Sequence, residues 1–457
     1  MPLPSSPGRP FCRLVPLLIF TLSSAPVGAA DLLQIYREAL ANDATYASAR
    51  ATRDAGLENL PQGLAQILPT VNATGFAQNN NVDIQFREIA GVPAAPESKR
   101  QGSTSGFTVT LTQPLFNWQN FQVYREAGFK AAQAEALFGQ ATQDLIVRVA
   151  QAYFDVLASQ DSLAFIQGQK VAIAEQLAQA KRNFEVGTAT ITDTHEAQAR
   201  FDLATSQEIA AQSDLEIKKR TLQQIVGKYP EQLTPLRANI ELNPPKPSAM
   251  EDWAGAASTQ GYPVRAQEAA VEVAAREIER VRAGHLPTLN LVGNAGVNSS
   301  NLSTTATVNS VTDSSNYNIG LQLSIPLYAG GNVSSLVRQA VANREKAQQD
   351  LETARRAAAL AARQSFLGVT NGMAQVKALE AALVSSRSAL DSNKLGYEVG
   401  VRINIDVLNA QQQVFSTLRD LSRARYDTML NGLKLKAASG TLTDGDVEEI
   451  NRLLGPS

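Results

Sequence analysis

The sequence predicts a mainly α-helical chain with a transmembrane β portion, built as a tandem repeat of long antiparallel helices plus four strands. Three observations predict it. Two long stretches are free of proline and rich in Ala, Gln and Leu, the same landmarks recur twice in the same order, and four short segments alternate apolar with polar residues. The first signals long helices, the second duplication, and the third strands with one apolar face.

Composition sets the outer bounds. Of 457 residues, 44% are hydrophobic and 18% charged, with 41 Lys+Arg against 43 Asp+Glu and a formal net charge of −2. That balance lacks the basic face a nucleic-acid binder uses, so no nucleic acid is expected as partner. One Cys and two His exclude a disulfide scaffold and the common Cys/His zinc arrays.

Residues 1–30 read as a secretory signal. Arg9 and Arg13 precede the apolar run 14–22, and small residues lead through Val27, Gly28, Ala29 and Ala30 to Asp31, with cleavage expected near Ala29 or Ala30. The run is too short to span a bilayer as a helix. Cys12 precedes it, so no lipidated terminus is expected and the mature chain holds no cysteine. No later stretch could cross a bilayer as a helix, which leaves strands as the only route through a membrane.

The repeat is read from four landmarks. Residues 183–193 (NFEVGTATITD) match 396–406 (GYEVGVRINID) at an offset of 213, placing Gly187 on Gly400 and Asp193 on Asp406. The same offset carries Val226-Gly227 onto Ser439-Gly440. Upstream, LPTVN at 68–72 matches LPTLN at 286–290, and TQPLF at 112–116 matches SIPLY at 324–328. The chain therefore divides into a first repeat, 31–230, a Pro-rich linker, 231–247, a second repeat, 248–440, and a tail, 441–457.

Proline placement draws the helices. None lies between Pro114 and Pro230 or between Pro326 and Pro456. Residues 119–186 and 333–399 read as two helices, each roughly 100 Å long at the usual rise. Tip turns at 187–193 and 400–406 lead into shorter helices, 194–226 and 407–439. Such hairpins exceed any one globular core and need partners along their length.

Strands are expected at about 70–78, 107–113, 289–298 and 317–325. Phe107, Val109 and Leu111 alternate with Thr108, Thr110 and Thr112, and Ile319, Leu321, Leu323 and Ile325 alternate with Gly320, Gln322 and Ser324. The intervening 79–106 and 299–316 are polar and read as exposed loops. The pattern suits an outer-membrane barrel wall, although hairpins on a soluble sheet would show it too. A membrane sheet leaves no edge unpaired and bacterial barrels start at about eight strands, so four strands per chain require a shared barrel of two or three copies.

The stretch from Gly400 through Asp406, Asn409 and Gln413, continuing to Ala438–Thr443, resembles the TolC family of outer-membrane channel-tunnels, as do Pro114-Leu115-Phe116, Pro326–Gly331 and Gly187–Asp193. The resemblance covers essentially the whole mature chain. It implies a homotrimer with a twelve-stranded barrel in the outer-membrane lipid above a long periplasmic α-barrel, most of the chain lying in the periplasm. It also implies a passive exit duct serving a periplasmic adapter (membrane fusion protein) and an inner-membrane ABC or RND transporter, in type I protein secretion, drug efflux or both. The absence of a lipidation Cys and the match of the final hairpin favour secretion or shared use.

The resemblance also suggests a gate. Asp406 matches the position whose carboxylate lines the pore constriction, where three copies would form an acidic ring open to cation block; an N-cap role is the simpler alternative. Asn409 stands where some relatives carry a second acid. Tyr397 and Arg402 would bond to Thr192, Asp193 and the adjacent hairpin, and Gln176 would approach Lys394, where some relatives have an acid. Asp193 followed by Glu196 also reads as a capping box. Gly187, Thr188, Gly400 and Val401 would form the adapter-docking tips. Phe116, Trp118 and Tyr328 fit either an aromatic belt or junction packing.

Catalysis is not expected. His195 and His285 are far apart in sequence and no mature Cys joins them; His195 reads as a solvated first-turn residue. The segment Val226–Tyr229 lacks the glycine and hydroxyl of a phosphate loop. No cofactor or resident metal is implied, so the energy for transport would come from partners. The rival reading is a periplasmic adapter with long helical hairpins, which would have no use for two duplicated strand pairs.

Overall fold

The computed structural model describes residues 29–85, 90–91, 98–237, 240–301 and 311–455. The charged and apolar parts of the leader, Arg9 to Gly28, and the tips of both strand connections lie outside the described residues.

Three helices open the described chain: α1 (Leu32–Asn42), α2 (Ala44–Leu57) and α3 (Asn59–Ala65). Asp31 caps α1, accepting from Gln34 N at 2.7 Å, and Asp43 caps α2, accepting from Tyr46 N at 2.6 Å. Asp43 is 4% exposed and also takes both Arg148 terminal nitrogens, at 3.0 and 3.2 Å. A buried carboxylate is thus fully bonded at the kink between two helices.

The sheet comprises β1 (Thr70–Ile84), β2 (Ser98–Phe116), β3 (Thr288–Ser300) and β4 (Thr312–Ser324), antiparallel in the order β1-β2-β3-β4. Strand β2 pairs with β3 across the two repeats, so the halves form one sheet whose edges, β1 and β4, have no further strand partner among the described residues. Register sorts the side chains. Val71, Leu111, Gly293 and Ile319 align in one row, and Ala73, Val109, Ala295 and Tyr317 in the next. On the other face Asn72, Thr110, Asn294 and Asn318 align, bonded through Thr110 to Asn294 (2.8 Å) and Asn294 to Asn318 (3.0 Å). The strands continue past the expected ends. Residues 79–84 and 98–106, expected as loop, belong to the ladder: polar residues on both faces erase the alternation without interrupting pairing.

Two hairpins of unequal arms follow. The first is α4 (Trp118–Glu185, 68 residues) with α5 (Ile191–Val226, 36 residues), and the second α8 (Asn332–Glu398, 67 residues) with α9 (Asn404–Ala438, 35 residues). Between them lie α6 (Met250–Gln260) and α7 (Tyr262–Arg282). The short arms leave the sheet-proximal halves of α4 and α8 bare. There α2, α3 and α7 lie along α4, and α7 also along α8. Helices α5 and α9 begin three residues before the expected 194 and 407, because the chain turns more tightly at the tips than the capping pattern suggested.

The main core sits midway along the hairpins. Tyr153, Leu145 and Val156 of α4 are fully buried with Leu222 of α5, Leu32 and Ala39 of α1, and Leu433 of α9. Phe154 stacks on Tyr426 at 5.6 Å. The first and last described residues join the linker here. Ala30 pairs with Leu233 and Leu236 with Leu454, Asn451 donates to Asp31 at 3.0 Å, and the Tyr36 hydroxyl to Asp444 at 2.7 Å. The helix α10 (Asp444–Asn451) of the tail completes this belt.

Candidate gate and docking tips

Both tip turns are closed by the same backbone device. Gly187 and Gly400 adopt φ of 77° and 80°, a left-handed geometry that glycine enters without a Cβ penalty. Thr188 N donates to Asn183 O at 2.8 Å, and Val401 N to Gly396 O at 2.9 Å, equivalent bonds in the two repeats. Thr188 and Val401 are exposed, as are Val186, Ile191, Val399 and Ile403. Each tip therefore presents short apolar side chains around a glycine turn.

The cap of α5 differs from the expected one. Thr190 is the N-cap: its hydroxyl accepts from Asp193 N at 3.3 Å, while the Asp193 carboxylate accepts from Thr190 N at 3.0 Å. Asp193 is the third-position acid of that box, not the cap, and Glu196 has no part in it. Asp406 likewise occupies the third position of α9, behind Ile403, and makes no capping bond. The N-cap alternative for Asp406 is thereby corrected. Its carboxylate lies 3.6 Å from Arg402 Nη1, with its side chain about a third exposed. Such a surface pair contributes little, about 0–1 kcal/mol.

The expected gate contacts assemble only in part within one chain. Tyr397 and Arg402 do not reach Thr192 or Asp193. The Tyr397 hydroxyl instead accepts from Asn183 Nδ2 at 3.1 Å, tying the end of α8 to the end of α4. Thr192 is exposed. Gln176 and Lys394 do not meet: Gln176 Oε1 is buried without a partner, whereas Lys394 is exposed. Gly396 sits under Arg402, and a Cβ there would fall 2.7 Å from Arg402 Cγ, so the arginine's path depends on that glycine.

Sequence reading missed one residue here. Arg200 of α5 donates from Nη1 to Gln412 Oε1 at 2.6 Å and from Nη2 to Asn409 Oδ1 at 3.0 Å. Asn409 is therefore held by a cation from the neighbouring helix. The only sequence signal was an asymmetry of the repeat, since the offset of 213 sets Arg200 opposite the uncharged Gln413.

Away from the tips, Asp161 on α4 accepts from Tyr426 at 2.8 Å, and burial holds its carboxyl above the usual range despite the hydrogen bonds from Tyr426 and Ser422. At the barrel end, Trp118 packs on Phe121 at 5.2 Å, Phe116 is half-exposed and Tyr328 almost fully exposed. His195 and His285 are exposed. Among the described residues no cluster of three His, Cys, Asp or Glu could hold a metal, and no helix is long and apolar enough to cross a membrane.

Similarity to known proteins adds to this geometry. The family described as outer membrane efflux protein matches residues 35–228 and 259–441, one segment in each half. Outer membrane protein TolC of Vibrio cholerae is 34% identical over 96% of this chain and 98% of its own. The alkaline protease secretion protein AprF of Pseudomonas aeruginosa is 31% identical over 92% of this chain and 86% of its own. The CmeC outer membrane channel of Campylobacter jejuni, at 16% identity, superposes with a TM-score of 0.76 over 99% of this chain and 98% of that one.

Proposed function

We infer, for a chain that belongs to the outer membrane efflux protein family, that it is a non-enzymatic exit channel of the outer membrane with a large periplasmic portion. Its work is type I secretion, multidrug efflux or both. The observation that carries this reading is the sheet: one apolar face, one face of Asn and Thr, and two edges unpaired among the described residues of the single chain. In hydrocarbon those edges must pair, and another copy's β1 on this chain's β4 is the simplest closure. Three copies give twelve strands, polar face inward around water, with the helical hairpins continuing the wall into the periplasm. The two repeats, 31–230 and 248–440, each supply one strand pair and one hairpin, joined by the linker at 231–247.

The remaining assignments follow the same reading. The periplasmic tips close the duct, and Asp406 contributes an acidic group to the constriction, with Asn409 a turn beyond it. Tyr397 and Arg402 restrain the second hairpin, with Thr192, Asp193, Gln176 and Lys394 as neighbours of the closure. The glycine turns with Thr188 and Val401 dock a periplasmic adapter, which recruits an inner-membrane ABC or RND transporter. The secretion-named relatives support protein export as one cargo class. Membrane fractionation tests the reading: the protein should be extracted from outer membranes as an oligomer that dissociates on heating. Recovery as a soluble periplasmic monomer would refute it.

A further inference from the structure

We propose that Arg200 is the clasp that holds the closed gate, working against two buried, unpartnered amides that make the closed arrangement ready to release. The proposal rests on the reading that the duct closes at its periplasmic tips, and it names the groups that set the balance there.

Helix α9 returns along α4 in antiparallel fashion. Tyr426 meets Asp161, Phe415 lies against Gly168, and Leu408 enters a small cluster with Ile173, Leu177 and Ala180 of α4 and Ala197 and Ala204 of α5. The first turns of α9 therefore press onto the first hairpin. The face that does so carries Asn404, Leu408 and Gln411, spaced four and three residues apart, and hence one above another on a helix. Leu408 is well placed there. Asn404, 1% exposed, has no partner for either side-chain polar atom, and Gln411, 2% exposed, has none for its oxygen. Gln176 Oε1 on α4 and Thr194 Oγ1 on α5, at the same end, are also buried and unpartnered. These atoms are shut off within a single chain, so a neighbouring copy in the assembly cannot reach them.

A buried amide that has given up water and gained no bond opposes the state that buries it, by a factor on the order of tenfold in an equilibrium. Closing α9 onto the first hairpin thus carries a standing opposition, relieved when its first turns swing out and Asn404 and Gln411 meet water. Arg200 acts against that release. Its planar fork spans Asn409 and Gln412, three residues apart on an adjoining face of α9. Because the clasp is solvent-accessible and made at the tip, a docking partner that engages this arginine or displaces it can undo it without disturbing the buried core above.

The test compares resting open probability in planar bilayers for wild type, Arg200→Ala, Asn404→Leu and Gln411→Met, with thermal unfolding of the oligomer alongside. Arg200→Ala should raise resting open probability about fivefold to tenfold. Asn404→Leu and Gln411→Met should lower it, and should slow partner-driven export, with unfolding midpoints at or above wild type. Opposite signs at two sites are the diagnostic result, because mere structural damage would open the gate and lower the midpoint in every variant. Unchanged opening in Arg200→Ala overturns the clasp. Raised opening in both amide variants overturns the stored opposition. A wild-type protein that forms no pore would instead overturn the duct reading on which the proposal rests.

Discussion

Replacing Ile319 with arginine should damage membrane assembly severely, while the same change at Asn318, one residue away, should be tolerated. Ile319 is 74% exposed and lies in the central row of the apolar face, with Gly293, Leu111 and Val71 across the sheet. Apolar rows run from Val297 and Phe107 to Leu323 and Leu289. At ~3.4 Å per residue and a tilt near 40° they make a band about 21 Å tall, close to the ~25 Å apolar belt of outer-membrane barrels. Ile319 falls at its middle, where an arginine costs about 2–4 kcal/mol per chain, or about 6–12 kcal/mol over three well-separated copies. Asn318 faces the opposite way, bonded to Asn294, and an arginine there meets water within about 0.5 kcal/mol of neutral. Urea unfolding in phospholipid vesicles, read by heat-modifiable gel migration, measures both. Equal losses at the two positions, or a larger loss at Asn318, would refute the assignment of faces.

Other consequences follow from the same structure. Tyr397→Phe removes the acceptor that joins α8 to Asn183, and Arg402→Ser frees Asp406; each should raise resting conductance about twofold to fivefold, and no change in either would remove both from the gate. N-terminal mass analysis of the mature protein should find Ala30 retained, because Ala30 N bonds Gln232 O at 2.9 Å and Ala30 O accepts from Thr234 N at 3.0 Å. A chain beginning at Asp31 would show those bonds dispensable. Burial raises the Asp161 carboxyl, so the folded state binds its proton more tightly than the unfolded state, and stability falls as pH rises through that window. Asp161→Asn keeps an acceptor for Tyr426 and should flatten this dependence while raising the unfolding midpoint at neutral pH; a lowered midpoint would show that the charge itself stabilises.

The parts legible in the sequence were those with a local cause. Pro-free runs marked α4 and α8, and Gly187 and Gly400 marked turns that the structure builds with left-handed glycines. Alternation marked the strands only where one face is apolar. Beyond that band the ladder continues through the Asn80–Gly102 and Asn81–Gln101 pairs, which carry no period. The cap of α5 was misread because Thr190 and Asp193 are both competent; the tight turn at Gly187 leaves the chain in helical register early enough for Thr190 to take the role. Arg200 left only the asymmetry of the repeat as a trace, for a different reason. Its partners are two amides on a helix distant in sequence, and which face of α9 meets α5 is decided by packing at Leu408. The belt that ties Asp31 to Asn451 likewise joins residues from opposite ends of the chain, and neither end shows the other in its local pattern.

The decisive measurement of a gated duct is single-channel recording of the purified oligomer in a planar bilayer, for wild type and Asp406→Ala, with a divalent or trivalent cation added on the periplasmic side. A duct narrowed by Asp406 should show a small resting conductance that the cation blocks in wild type and fails to block in Asp406→Ala. A protein that inserts but conducts nothing, under any cation condition, would contradict it.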